Sequence, residues 1–243
     1  MTTALVLVDV QRDFLDRPGL VPDRATVCGR LGRLLSGCRA LGVPVAHVQT
    51  VTRPDGSDRM PHWGAAGVVA CVAGTPGAAP PPALAPLAGE AVVAKRFFSG
   101  FGGGSSDLDE WLRARGVERI VVAGLYLHGC VRATVVDGYE RGYEVWVADD
   151  AVATTDAVHG AVSRAWLDRR AARFLPVDEV LSRLGGGSPA DVGLRTAAAV
   201  RTASAAAAEA QRAWGATPVG VRAELLDRVA EGLEAALPRL VAL

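Results

Sequence analysis

The 243-residue chain carries no surplus of either charge, since 26 Lys and Arg offset 26 Asp and Glu. A nucleic-acid-binding face needs an excess of basic side chains, so none is expected. There is no CxxC pair, and the four cysteines (Cys28, Cys38, Cys71 and Cys130) are scattered, which fits neither a zinc site nor a disulfide framework. A basic leader is missing ahead of the segment VLVDVQRDF, and no apolar run approaches the length of a membrane span. We therefore expect a protein of the reducing cytoplasm with free thiols, no bound cofactor and no membrane partner. Apolar residues are not scarce. They make up 50% of the chain, which excludes disorder throughout and allows a sizeable core.

From residue 1 to about 184, strand-like and helix-like segments alternate. Ala4 to Val10 is an unbroken apolar run that includes an acid, Asp9. Pro22 to Leu41 has helical spacing through Val27, Leu31, Leu34, Leu35 and Cys38. Further strands are predicted over Val43 to Gln49, Ala91 to Lys95, Arg119 to Leu125, Tyr143 to Asp150 and Ala172 to Val177. Helices are predicted after Ser106 as N-cap, over Val131 to Arg141, and over Asp156 to Arg170. Continuous apolar strands between helices predict a doubly wound α/β fold, a six-stranded parallel sheet covered on both faces. In such a fold ligands bind at the carboxyl ends of the strands. The stretch Thr50 to Glu90 has no periodicity and is rich in Gly, Pro and Ala, and part of it is expected to border the site.

LGGGSPAD, at Leu184 to Asp191, reads as a Gly-rich linker over 185–191. Beyond it, in 192–243, Val221, Leu225, Val229, Leu233, Leu237 and Leu240 form an apolar stripe at helical spacing. Such a stripe needs a covering surface, so a helical extension and a homo-oligomer are expected.

Chemistry-bearing residues fall at three strand ends: Asp9 ends the first, Lys95 ends the third, and Cys130 follows the fourth through GLYLHGC. Each alone has an ordinary explanation, respectively a turn cap, a solvated cation and a core thiol. Together they make an activated-nucleophile set: an acid to take the thiol proton, an ammonium to hold both anions, and a thiol on a strand-turn-helix bend.

DVQRDF at Asp9 to Phe14, the lysine of VVAKRFFSGF, and GCVRATVVDGYERGYEVWVADDAVA from Gly129 resemble the isochorismatase-like cysteine hydrolases. The resemblance runs from residue 4 to about 180. It implies a catalytic triad of Asp9, Lys95 and Cys130 on a six-stranded parallel sheet. It also implies a non-proline cis peptide at Leu125–Tyr126, and an oxyanion hole made by the N–H groups of Tyr126 and Cys130. Phe14, Trp63, Phe98, Phe101, Tyr126 and His128 are candidates to line the pocket, with core packing an equal explanation for Phe98. Arg132 is a candidate for a substrate carboxylate or, just as well, for an ion pair.

The departures are informative. Nicotinamidases of this superfamily carry an Asp-Trp-His type metal motif after the second strand. Here that region reads HVQTVTRPDGSDRMPHW, with His47, Asp55, Asp58 and His62 in another pattern, so no metal is expected and nicotinamide is disfavoured. Isochorismatases proper lack the cysteine, so Cys130 argues against vinyl-ether hydrolysis. The tail TAAAVRTASAAAAEAQRAWGATPVGVRAELLDRVAEGLEAALPRLVAL resembles the opening helices of an aldehyde dehydrogenase, without that family's catalytic or cofactor motifs. It fits either the front of a fusion or an oligomerisation arm.

The expected activity is hydrolysis of a C–N bond in a small carboxamide, carbamoyl or ureido compound. The rival is a catalytically silent scaffold serving a fused partner. Since every predicted strand and all three strand-end residues precede Gly186, a chain ended there should keep its fold and turnover. Sedimentation and a turnover assay on residues 1–186 check this, and loss of activity in a well-folded product would give the tail a part in the site.

Overall fold

The computed structural model describes residues 1–102 and 107–186. The chain opens with β1 (Thr3–Val8), a one-turn helix α1 (Arg12–Leu15) and α2 (Arg24–Ala40). β2 (Val45–Thr50), the short α3 (Pro61–Ala65), β3 (Ala91–Lys95) and α4 (Leu108–Arg113) follow. Then come β4 (Arg119–Leu125), α5 (Arg132–Glu140), β5 (Glu144–Ala153), α6 (Ala157–Leu167), β6 (Arg173–Leu175) and α7 (Val177–Leu184). All six strands pair in parallel in the order β3-β2-β1-β4-β5-β6. The chain works outward from β1 to one edge, then restarts at β4 beside β1 and works to the other. The two halves part between β1 and β4, where crossovers leave to opposite sides and a crevice opens at the carboxyl ends.

Successive residues of the central strands serve opposite faces. Leu5 and Leu7 join Val27, Leu31, Leu34 and Leu35 of α2 and Val177 and Val180 of α7 in one core. Ala4, Val6 and Val8 join Leu108 and Leu112 of α4, Val135 of α5 and Leu167 of α6 in the other. Burial on both faces is why these strands read as unbroken apolar runs. Asp23 caps α2 by accepting from the Thr26 N–H at 3.1 Å, and Asp156 caps α6 by accepting from the His159 N–H at 2.8 Å.

Several boundaries differ from expectation. β1 ends at Val8, because Asp9 turns to φ +53°. α4 has Asp107 at its N-cap with no side-chain capping bond, and Ser106, the expected cap, lies outside the described residues. The last strand stops at Leu175, since Pro176 opens α7, a helix not expected although Val177, Val180, Leu181 and Leu184 recur at helical spacing. The expected linker begins with Gly185, which closes α7. Its residues 187–191 and the extension expected over 192–243, with the aldehyde dehydrogenase resemblance, lie outside the described residues. Among the described residues no helix is long and apolar enough to cross a membrane, and all four cysteines are free.

Two devices set the strand ends. Gly124 of β4 sits at φ +118°, and a Cβ there would lie 2.0 Å from the Val8 carbonyl oxygen, so only glycine lets β4 pass this close to the end of β1. The loop entering β3 is held by Glu90. Its carboxylate takes two bonds from Arg39 of α2, at 2.7 and 2.9 Å, one from the Leu87 N–H at 2.9 Å, and pairs with His47 of β2 at 2.8 Å. Burial opposes the charge, but these donors outweigh it and hold the Glu90 carboxyl down at about 2, against an ordinary 4.5.

Glu90→Gln should therefore destabilise the fold by about 2 kcal/mol at neutral pH, the scale of hydrogen bonds to a charged group. The folded-state pKa is lowered, so this contribution is present above pH 4.5 and is lost as pH falls towards 2. Urea titrations of both proteins should show the gap closing over that window.

Candidate active site

Asp9, Lys95 and Cys130 converge at the carboxyl edge of the sheet. Asp9 is 1% exposed and sits just past β1 in the left-handed region, which aspartate tolerates better than most residues. Its Oδ1 accepts from both the N–H and the hydroxyl of Thr50, each at 2.9 Å. Its Oδ2 has no such donor and faces the Lys95 ammonium at 2.8 Å. Lys95, also 1% exposed, donates to Thr50 Oγ1 at 2.8 Å, to the Phe97 carbonyl at 3.0 Å and towards Cys130 Sγ at 3.4 Å. Thr50 and Lys95 are register partners across β2 and β3, so the sheet itself brings them side by side.

The electrostatics follow from the burial. Desolvation alone would depress the Lys95 ammonium, but Asp9 and Cys130 outweigh it, and its pKa lies above the ordinary lysine value. Burial, with Asp9 beside it, pushes the Cys130 thiol up despite the opposing ammonium. The resting centre is thus an ion pair next to a neutral thiol. A second anion there is disfavoured until a proton moves. Lys95 is the single lysine in a chain whose other 25 basic residues are arginine. A compact ammonium can serve Asp9, Thr50, Phe97 and Cys130 from one atom, whereas a planar guanidinium has a different donor geometry.

Cys130 lies in a π-type turn, Leu127–Val131, between β4 and α5, in which the Gly129 and Val131 N–H groups bond to the Tyr126 carbonyl at 2.9 and 3.2 Å. The Leu125–Tyr126 peptide is cis. The Tyr126 hydroxyl donates to the Phe14 carbonyl at 2.7 Å. Below, Gln11 donates to the Thr50 and Ala78 carbonyls, each at 2.8 Å, and accepts the Thr50 N–H at 2.9 Å. Asp13 accepts from the Cys71 N–H at 2.6 Å. The polar side chains of DVQRDF thus tie the strand end to the irregular stretch after β2.

A cavity of about 600 Å³ reaches Cys130. Phe14, Trp63, Phe98, Tyr126 and His128 all line it. Phe14 meets Tyr126 edge-on at 5.6 Å and Trp63 at 6.1 Å, and His128 stacks on Tyr126 at 5.6 Å. His128 bonds Thr154 through Nδ1, and burial lowers its pKa, favouring the neutral ring. Asp9 and Lys95 do not line the cavity and lie beneath it.

Two expected residues lie elsewhere. Phe101 is not in the cavity. The turn after Phe98, closed by a Gly102 N–H to Ser99 carbonyl bond, carries Phe101 into the core, where it stacks on Tyr143 at 5.9 Å. Arg132 is also outside it. Two residues along a helical turn is a rotation of about 200°, so with Cys130 facing inward Arg132 faces out. There it lies over Trp166 at 5.5 Å and reaches Ser163 Oγ at 3.5 Å. Sequence reasoning missed Arg17, Met60 and His62 in the wall, and Gln11 and Thr50 beneath the centre. Thr50 could have been found as the strand-end neighbour of Lys95. Met60 and His62 carry no periodic signal. Of the histidines and acids in and after β2, His47 pairs with Glu90, Asp58 accepts the Arg53 N–H at 2.7 Å, Asp55 accepts from Ser57, and His62 stacks on Phe98 at 5.3 Å. Among the described residues no three His, Cys, Asp or Glu side chains gather as a ligand set.

The isochorismatase domain model matches residues 3–177. A ureidoacrylate amidohydrolase from Methylobacterium radiotolerans is 32% identical over 185 residues, covering 66% of this chain and 71% of its own. A nicotinamidase/pyrazinamidase from Mycobacterium tuberculosis is 32% identical over 166 residues, covering 63% and 88%. The crystal structure of a cysteine hydrolase from Pseudomonas syringae pv. phaseolicola superposes with a TM-score of 0.67 at 28% identity, covering 76% of this chain and 92% of that one.

Removing one member of a buried ion pair strands the other. Lys95→Met should destabilise the protein by about 3–5 kcal/mol at pH 7, read by urea denaturation, and Asp9→Asn added to it should restore part of the loss. Because the folded-state ammonium titrates above the unfolded value of 10.5, the pair's contribution should persist below that pH and fade above it.

Proposed function

Since the chain belongs to the isochorismatase family, we propose that it is a cysteine-dependent amidohydrolase that cleaves the C–N bond of a small carboxamide, carbamoyl or ureido compound through a thioester. The observation that carries this reading is the buried contact set in which Lys95 Nζ lies 2.8 Å from Asp9 Oδ2 and 3.4 Å from Cys130 Sγ, at the floor of an aromatic-walled cavity. The named relatives support it, since two of them are amide hydrolases by name.

In the proposed cycle the Asp9 carboxylate takes the Cys130 thiol proton as sulfur attacks the carbonyl carbon. The thiol is held neutral at rest, so the proton transfer and the attack belong to one event, with Lys95 offsetting the negative charge as it moves from carboxylate to sulfur and on to the carbonyl oxygen. The N–H groups of Tyr126 and Cys130 hold that oxyanion. Asp9 then gives its proton to the departing nitrogen, the C–N bond breaks, and ammonia or an amine leaves. Water enters and loses a proton to Asp9, hydroxide attacks the thioester, and the sulfur leaves with that proton as the acid product departs. No step calls for a metal. Thr50 fixes the Asp9 carboxylate through two bonds, so that Oδ2 remains for proton transfer. A silent scaffold would have no use for a buried ion pair whose third partner is a thiol, because burying charge is unfavourable without a return.

Cys130→Ser should lower ammonia release from a responsive amide by at least about 1000-fold, as loss of a nucleophile does, while circular dichroism and the denaturation midpoint stay near wild type. A variant that keeps most of its turnover would remove Cys130 from the nucleophile role.

A further inference from the structure

Among the described residues Arg17 is the one lysine or arginine in the wall of the Cys130 cavity, and no carboxylate of theirs lines that wall. Nearby acids are engaged elsewhere: Asp16 pairs with Arg24, Asp13 holds the Cys71 N–H, and Asp9 holds Lys95. No ion pair or hydrogen bond from the Arg17 guanidinium is seen among the described residues. Its charge acts on the cavity, where it opposes the effect of burial on the Tyr126 phenol. Its backbone is fixed, since the Arg17 N–H bonds to the Phe14 carbonyl at 3.4 Å, the same oxygen that takes the Tyr126 hydroxyl. Pro18, also in the wall, follows with its restricted φ. Most of the rest of the wall is flat or apolar, with Phe14, Trp63, Phe98, Tyr126, Met60 and Val68, and its other polar side chains, His62, His128 and Thr155, carry no fixed charge of the arginine kind.

We infer that Arg17 is a specificity-determining residue and that the preferred substrate is a flat amide bearing a carboxylate, or a like anion, away from the bond that is cleaved. This deepens the amidohydrolase reading and rests on it. An arginine fork meets a carboxylate with two parallel charge-assisted bonds, and a guanidinium with no internal partner makes those bonds without first breaking others. The aromatic walls sandwich the planar part of the molecule, and the thiol at the floor meets its amide. A neutral amide fills the same walls but leaves the guanidinium to water.

The test pairs 3- and 4-carbamoylbenzoate with 3- and 4-methylbenzamide, which differ in carboxylate against methyl. On the full chain, the wild type should show a higher kcat/KM for a carbamoylbenzoate than for its methyl counterpart. In Arg17→Met the ratio of the two should fall about 10-fold or more, mainly through KM, and Arg17→Lys should lie between, as a point charge without the fork. A second arm measures the Kd of benzoate and of benzyl alcohol by ligand-detected NMR, which needs no turnover. Benzoate should bind more weakly to Arg17→Met by about 10-fold, with the preference over benzyl alcohol lost. An unchanged ratio, equal loss on both members, or a wild-type preference for the methyl compounds overturns the inference, as does benzoate binding that ignores Arg17. If the wild type cleaves none of these or other amides yet binds benzoate through Arg17, the amidohydrolase reading fails and anion recognition stands.

Discussion

A buried carboxylate and a buried ammonium, 2.8 Å apart and each 1% exposed, impose the main constraint on this structure. Neither charge is tolerable in the interior alone. Each must be delivered to the other by a backbone that does not wander, and both must be given further hydrogen bonds. Adjacent parallel strands meet that demand. β1 delivers Asp9, β2 delivers Thr50, and β3 delivers Lys95 in register with Thr50. Thr50 then bridges the pair, donating to Asp9 and accepting from Lys95. The close approach at Gly124 and the Glu90 clamp on the loop into β3 both keep these strand ends where the pair needs them.

The pair in turn governs the thiol. Burial raises the Cys130 pKa, Asp9 raises it further, and Lys95 only partly compensates. This differs from a cysteine ionised at rest beside a cation. A neutral thiol next to an ionised acid is a proton donor and acceptor already in contact. In the proposed cycle the reactive anion forms only when a carbonyl is present to receive it, which would protect the thiol from wasteful side reactions.

The polar centre and the cavity wall come from different parts of the chain. The polar centre belongs to strand ends and is pinned from several sides. The cavity wall above it comes from α1 and the turn after it, from α3 and its flanks, from Phe98 after β3, from the turn before α5 and from Thr155 before α6. These are connecting segments on a stable sheet, the usual place for selectivity to reside. On the inference drawn above, Arg17 and the aromatic wall would set which molecule is admitted without touching the groups beneath.

The alternation of apolar runs with helical periodicity was enough to predict six parallel strands with helices on both faces, because burial on both sides of a strand leaves a plain compositional mark. The order of Asp9, Lys95 and Cys130 at successive strand ends was legible for the same reason: in a parallel sheet all carboxyl ends share one edge. Local helix geometry also bore on Arg132, which sits about 200° around the turn from Cys130. The identity of the cavity wall was not legible. Met60, His62 and Arg17 sit in segments without period, and Phe101 differs from Phe98 only in the turn between them, so nothing in one dimension separates wall from core. The α7 helix was legible, since Val177, Val180, Leu181 and Leu184 recur at helical spacing, but a strand expected as far as Val177 overlay its start. Sequence patterns record which face of an element is buried. Which irregular segments fold over the strand ends depends on distant contacts, such as Asp13 with the Cys71 N–H and Gln11 with the Ala78 carbonyl, and only the tertiary structure decides those.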